Sequence, residues 1–353
     1  MSVVHLRGQT PETLAEAFPG LSLSVARRVV HRLVGEDRND FDGVPGLSRA
    51  RAGELRERGR LERLEILDRR RSGVDPFVKY LFRSGDGRVF EAVRIPLERP
   101  RWSVCVSSQV GCALGCRFCQ TGRLGFLRNL EPWEMVEQAL AVRRESPERP
   151  TTGVVFQGQG EPFQNYDNVM RAARVLRDPC GARIGRDRIT ISTVGLLPQI
   201  ERYIEERHPY RLILSLSSAF SEKRERLIPV TARYGVPELA SAMRRLAASR
   251  GGPVHLAWVL ISGYNTGPEE ARELGRLFRG VRVRLSLIDV NDPAGSFARA
   301  SDAERGRFLS ALSENGIGFV RRYSGGPDID AACGLLASRA RGGLAHEPSS
   351  ALP

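Results

Sequence analysis

The feature that most constrains the fold is a regular alternation of strand-like and helix-like segments through the second and third quarters of the chain. Short apolar runs at 152–156, 188–192, 212–216, 254–260 and 283–287 alternate with helical patterns near 132–145, 166–177, 197–207, 220–227, 236–249 and 268–279. Strands separated by helix-length connections pair as parallel neighbours, with the helices covering the sheet. One further strand before the cysteine loop at 112–119 brings the expected count to about six. The prediction is therefore an α/β fold built on a partial (β/α)6 barrel, not a closed eight-stranded one. Chemistry in such barrels sits at the C-terminal ends of the strands. A last helix near 301–314 and a strand at 317–323 follow.

The rest of the chain divides around that core. Residues 1–72 are expected to form a small helical domain. Within it Leu21, Val25, Ala26, Val29, Val30 and Leu33 recur at helical spacing, with Arg27, Arg28, His31 and Arg32 on the opposite face. A second, basic helix begins near Leu47, with Ser48 as its candidate N-cap. Residues 73–100 read as a β-hairpin extension, because Asp86-Gly87 separates two apolar runs. The core is placed at 101–341, and the small, polar residues 342–353 are expected to be a flexible tail.

Three cysteines, Cys112, Cys116 and Cys119, follow a CxxxCxxC spacing. Clusters that only carry electrons usually take four cysteines. Three thiols can ligate three irons of a [4Fe-4S] cluster and leave the fourth open to another molecule. A structural zinc site normally shows two short ligand pairs, and no second CxxC or HxxxH pair occurs. The spacing, with Phe118 before the last thiol, resembles that of the radical S-adenosylmethionine (SAM) enzymes. Three of the six cysteines lie in eight residues, which fits a reducing, cytoplasmic location better than a disulfide framework. The sequence contains no apolar run long enough for a membrane span, and its first residues lack the regions of a signal peptide.

The 54 basic residues outnumber the 41 acidic ones, for a formal charge of +13, and all basic residues except Lys79 and Lys223 are arginine. A GC-rich genome would account for the arginine-to-lysine ratio but not for the net excess. That excess suits a polyanionic partner.

Read outward from the cysteine loop, the chain resembles the RlmN/Cfr family of radical SAM RNA adenine methyltransferases. The resemblance is carried by Arg101-Trp-Ser-Val-Cys105 through Cys112 to Leu130, by Gly158-Gln-Gly-Glu161-Pro162 and by Ile191-Ser-Thr-Val-Gly195. It continues in Ile228-Pro229 and Asp328-Ile-Asp-Ala-Ala-Cys333-Gly334. It implies a radical SAM barrel with an RNA-binding N-terminal domain, and a monomer reduced by a flavodoxin or ferredoxin. The substrate it implies is 23S rRNA, with tRNA beside the anticodon as a further one. Cys112, Cys116 and Cys119 would ligate the cluster. Gly160, Glu161, Ser192, Ser215 and Asn291 would contact SAM, with Glu161 accepting from its ammonium. Cys333 would carry a methyl group that becomes a methylene radical and adds to the adenine ring. Cys105 would then release the product by forming a disulfide with Cys333, and Glu91 would accept the ring proton. Without the resemblance, Glu91 reads as an exposed strand carboxylate and Cys333 as a buried apolar cysteine. Cys180 matches nothing in the family and is expected to be a bystander in a helix-ending turn.

Several positions depart from the family pattern. Gln159 stands where a methionine is usual, Ser215-Leu-Ser217-Ser218 replaces Ser-Leu-His-Ala, and Asp289 and Asp292 replace prolines. All lie at predicted strand ends and are expected to line the pocket rim. Three activities remain open on these grounds: adenine C2 methylation, C8 methylation as in Cfr, and methylation of a small molecule by a diverged member.

Overall fold

The computed structural model describes residues 3–229, 233–292 and 295–336; the expected tail at 342–353 lies outside them. Helices α1 (Pro11–Ala17), α2 (Leu23–Val30) and α3 (Arg49–Arg58) open the chain, each entered through a hydroxyl cap. Thr10, Ser22 and Ser48 accept from the backbone N–H three residues on, which satisfies a donor the helix leaves orphaned. Leu21, Ala26, Val29, Val30 and Leu33 are buried and join the same apolar core as Trp133 and Val136 of the barrel. Arg7, itself buried, pairs with Asp37 at 2.7 Å and Glu137 at 3.4 Å, and Arg144 closes the network onto Asp37 at 2.7 Å. Removing one partner of such a buried network leaves an uncompensated charge, a loss of about 3–5 kcal/mol.

The helical pattern expected to run to residue 72 ends at Arg58. Glu65–Arg71 is instead a strand, β1. Its leucine, arginine and glutamate content favours helix, but the open edge of the next strand offers a full row of backbone partners, and tertiary pairing prevails. β1 pairs antiparallel with β2 (Val78–Arg83), which pairs antiparallel with β3 (Val89–Pro96). The turn between β2 and β3 closes through Ser84 and Arg88, with Gly87 at φ +81°. The extension is thus three-stranded.

β3 runs antiparallel to β4 (Trp102–Val106), and from there all pairing within this sheet is parallel. In spatial order follow β5 (Thr151–Phe156), β6 (Ile189–Thr193), β7 (Arg211–Ser215), β8 (Val254–Leu260), β9 (Val283–Asp289) and β10 (Gly318–Arg321). The covering helices are α4 (Pro132–Glu145), α5 (Tyr166–Arg177), α6 (Leu197–Glu205), α7 (Ser221–Leu227), α8 (Val236–Arg250), α9 (Pro268–Leu277) and α10 (Asp302–Glu314). Six strand-and-helix units, followed by a seventh parallel strand, make the α/β radical SAM partial barrel that was expected. Leu212, Leu214, Leu256, Leu285 and Phe156 are buried in the main core, each worth about 1.5–3 kcal/mol when removed from water. On alternate positions Ile213, Ala257 and Ile288 form a separate small cluster.

Among the described residues β10 and β1 do not pair, so the barrel stays open. The segment after β10 crosses the gap. Asp75 accepts from the Tyr323 hydroxyl and from the Gly326 N–H, both at 2.8 Å. Asp328 accepts from the Ser72 hydroxyl at 2.7 Å and the Gly73 N–H at 2.8 Å. The Lys79 ammonium donates to the Asp330 carbonyl at 3.2 Å. This crossing segment carries Cys333. Among the described residues no helix is long and apolar enough to cross a membrane.

Candidate active site

The cysteine loop hangs from a short antiparallel pair, Gln109–Gly111 with Phe126–Asn129. Gly111 has φ +75°, and a Cβ there would lie 1.9 Å from the Gly125 carbonyl oxygen. Only glycine lets the two backbones approach so closely. The Cys112 N–H donates to that same carbonyl at 2.8 Å, and the Cys119 N–H turns back onto the Cys116 carbonyl at 3.1 Å. The C-terminal segment then docks on the loop: the Gln120 N–H donates to the Gly334 carbonyl at 2.7 Å, and the Thr121 hydroxyl to the Leu336 carbonyl at 2.8 Å.

Cys112, Cys116 and Cys119 line one cavity of about 150 Å³. Burial, reinforced by the neighbouring acidic groups, pushes the Cys112 thiol up to about 12 and Cys116 well above the ordinary thiol value. Such thiols ionise only when a metal's charge offsets the buried anion. Among the described residues no three Cys, His, Asp or Glu side chains converge as a single ion would require. Three thiols lining one cavity fit the three-cysteine ligation of a [4Fe-4S] cluster with one iron left open.

Gly160, Glu161, Ser215 and Asn291 line the same cavity. Glu161 is buried; its carboxylate accepts from the Phe163 N–H at 2.9 Å and the Val194 N–H at 3.0 Å. Burial raises its carboxyl to about 7, against the pull of Thr193, these two amides and Arg224. A ligand ammonium would favour the ionised form. Ser192 is not on the wall itself and reaches it through Ser215, hydroxyl to hydroxyl at 3.3 Å. The Asn291 amide donates to the Cys333 carbonyl at 3.4 Å, tying this wall to the crossing segment.

A second cavity of about 120 Å³ contains Cys105 and shares Cys119, Gly158, Cys333 and Gly334 with the first. Cys333 therefore stands on the boundary, with the thiols of the three-cysteine loop on one side and Cys105 on the other. It is exposed, not the buried apolar cysteine that a lone thiol suggests, and both residues are free thiols. Burial and the adjacent Cys333 push the Cys105 thiol up to about 12, while Arg322 acts the other way.

Glu91 lines neither cavity. It is 2% exposed and paired with Lys79 at 3.1 Å, so it is not an exposed strand carboxylate. Gln159 also departs from expectation: it is buried away from both cavities, where its side-chain carbonyl accepts from the Glu91 N–H at 3.2 Å. The period of two along a strand end does not continue through a glycine turn, so its facing could not be read from sequence. Asp292 likewise lies off the cavity walls, bonded to Arg123 and to the Phe297 N–H. Ser217 and Asp289 do line the first cavity. Ser217 holds a left-handed φ of +58°, a strained conformation for a side chain with a Cβ. Cys180 sits in the turn after α5, apart from both cavities.

Three residues at the site escaped the sequence reading. Arg224 resembles any solvated arginine of α7, yet it is 1% exposed and donates to the carbonyls of Val194, Ser215 and Leu216 beside the cavity. Arg322 and Tyr323 line the Cys105 chamber; no pattern of charge or apolarity marked them. Conversely, the basic N-terminal helices carry less free charge than their composition suggests. Arg51 and Arg58 both bind Glu54, and Arg32 binds Glu36 and Asp40.

Residues 106–275 match the family model described as the radical SAM superfamily. A protein of Anaeromyxobacter sp. (strain Fw109-5) named "Probable RNA methyltransferase" is 47% identical over 344 residues, covering 96% of this chain and 100% of its own length. The dual-specificity RNA methyltransferase RlmN of Syntrophotalea carbinolica is 37% identical over 342 residues, covering 94% of this chain and 89% of its own. The crystal structure of a radical SAM methyltransferase from Sphaerobacter thermophilus superposes with a TM-score of 0.87 at 38% identity, covering 95% of this chain and 100% of that one.

Proposed function

Because the chain belongs to the radical SAM RNA methyltransferases that include RlmN, we propose that it methylates C2 of an adenine in 23S rRNA, and of an adenine in tRNA, through a methyl group carried on Cys333. The observation that carries this reading is the position of Cys333 on the wall between the cluster-thiol cavity and the Cys105 chamber. An enzyme that only generated a radical would need no second thiol chamber beyond its first.

A radical SAM enzyme takes a [4Fe-4S] cluster and SAM, which when bound supply a 5′-deoxyadenosyl radical. Cys112, Cys116 and Cys119 would hold the cluster, with a flavodoxin or ferredoxin as the electron donor. Glu161 receives the SAM ammonium, with Gly160, Ser215 and Asn291 completing the wall and Ser192 supporting Ser215. The amidine carbons of adenine are electrophilic and cannot attack a sulfonium methyl group, so polar transfer is unavailable. Cys333 solves this by accepting a methyl group on sulfur, losing a hydrogen atom from it to the radical, and presenting the resulting carbon radical to the ring. After addition, the ring carbon loses its proton and the adduct gives up its unpaired electron to the oxidised form of the carrier that supplied the first one; Cys105 sulfur then attacks Cys333 sulfur. The S–S bond forms as the S–CH₂ bond breaks, and its electron pair leaves on the carbon, which takes a proton to become methyl. Glu91 is the acceptor of the ring proton. Lys79 holds both Glu91 and the Asp330 carbonyl, which links this carboxylate to the segment that carries Cys333.

Nucleoside mass spectrometry of rRNA and tRNA from wild-type and deletion cells tests the reading. Loss of 2-methyladenosine is expected. Loss of 8-methyladenosine instead would move the site to C8, and no change in either would remove RNA as the substrate. Cys105→Ala is expected to leave protein covalently attached to RNA, whereas Cys333→Ala forms no adduct and no methylated base.

A further inference from the structure

The wall of the Cys105 chamber contains one exposed aromatic ring, Tyr323, and one charged side chain, Arg322. A single exposed aromatic is ordinary on a protein surface, but Tyr323 is held. It is 67% exposed, yet its hydroxyl donates to Asp75 at 2.8 Å. Its ring meets Phe77 edge-on, with centroids 6.1 Å apart at 78°. Asp75 is itself fixed by the Gly326 N–H at 2.8 Å. The ring's orientation is therefore set before any ligand arrives, and it opens beside Cys333, on the one segment that crosses the barrel gap. Arg322 is half-buried on the same wall, with no hydrogen bond or ion pair from its guanidinium among the described residues.

We infer that Tyr323 and Arg322 form the seat of the target nucleotide, Tyr323 stacking on the extruded adenine and Arg322 binding its phosphate. The inference rests on the RNA methyltransferase reading above and names the residues that recognise the substrate. Cys333 can deliver carbon only to a base lifted out of its helix, because ring carbons inside a stack are not accessible to a protein sulfur. A base taken from its neighbours loses their π-faces, and an aromatic side chain replaces one of them. A guanidinium without a partner beside that ring supplies the counter-charge that the nucleotide's own phosphate requires.

The test uses the cluster-loaded full chain and unmodified 23S rRNA transcript. Tyr323→Ala is expected to raise KM for RNA about tenfold, a typical loss for one stacked base, with kcat changed far less. Tyr323→Phe keeps the ring and loses the Asp75 bond, and is expected to stay within about twofold of wild type. Arg322→Gln is expected to lower the salt slope of RNA binding by about one. Equal losses in Tyr323→Ala and Tyr323→Phe would overturn the stacking role, because the hydroxyl's anchoring of the segment would then explain both. An unchanged KM in Tyr323→Ala, or an unchanged salt slope in Arg322→Gln, would overturn the seat while leaving the RNA reading intact. A wild-type chain that transfers no methyl group to RNA would instead remove that reading, and the seat with it.

Discussion

Glu161→Gln in the cluster-free protein isolates the electrostatic cost built into the SAM-side cavity. Burial raises the Glu161 carboxyl from its usual 4.5 to about 7. That displacement corresponds to roughly 3 kcal/mol between the protonated and ionised forms. The folded value lies above the unfolded one, so the folded state binds the proton more tightly. The associated stability is fully present below pH 4.5 and is lost as pH rises through 7. A glutamine has no such proton. Its amide nitrogen instead faces one of the two N–H donors, Phe163 or Val194, that the carboxylate accepts, at a cost of about 1–3 kcal/mol that does not vary with pH. Equilibrium urea denaturation of both proteins from pH 4.5 to 8 separates these effects. The stability of wild type relative to the variant is expected to fall by roughly 3 kcal/mol across that window and then level off. A difference that stays constant with pH would refute the claim that Glu161 is ionised against its environment and awaits a cation.

Further outcomes follow from the same geometry. Gly111→Ala places a Cβ 1.9 Å from the Gly125 carbonyl at φ +75°, so about 3 kcal/mol or more of stability is lost; iron bound after reconstitution should fall with it. Arg224→Met strips the donor from one buried and two part-buried carbonyls, and a loss of about 1–3 kcal/mol is expected by urea denaturation. Mild diamide treatment should join Cys105 to Cys333, read by peptide mass under non-reducing conditions; failure to crosslink would show that the shared chamber does not bring the sulfurs together. Burial and the nearby Arg211, Arg284 and Arg250 push half-buried His255 from 6.5 to about 4. Its neutral form therefore supports the fold above pH 6.5, and about 1–2 kcal/mol, discounted for solvent screening, is lost as pH falls through 4. His255→Gln should flatten that acid limb.

The sequence by itself determined the order of strands and helices, the hairpin at Asp86-Gly87, the three-thiol loop and the family. Each of these is written in local periods or short spacings, which the backbone obeys wherever the segment is placed. Tertiary structure alone decided what depends on distant partners. The helix-favouring 65–71 run became a strand because β2 offered an edge. Gln159 turned away from the cavity toward Glu91, and Glu91 itself was buried against Lys79. Arg224 was singled out from dozens of arginines by three carbonyls that converge only when β6, β7 and α7 meet. The deepest case is Cys105 and Cys333. The family resemblance implied a shared task for them, but their placement on one chamber follows from the barrel's failure to close. The unpaired edges leave a gap, the last segment crosses it to satisfy Asp75, Lys79 and Asp328, and that crossing carries Cys333 to the boundary between the two cavities.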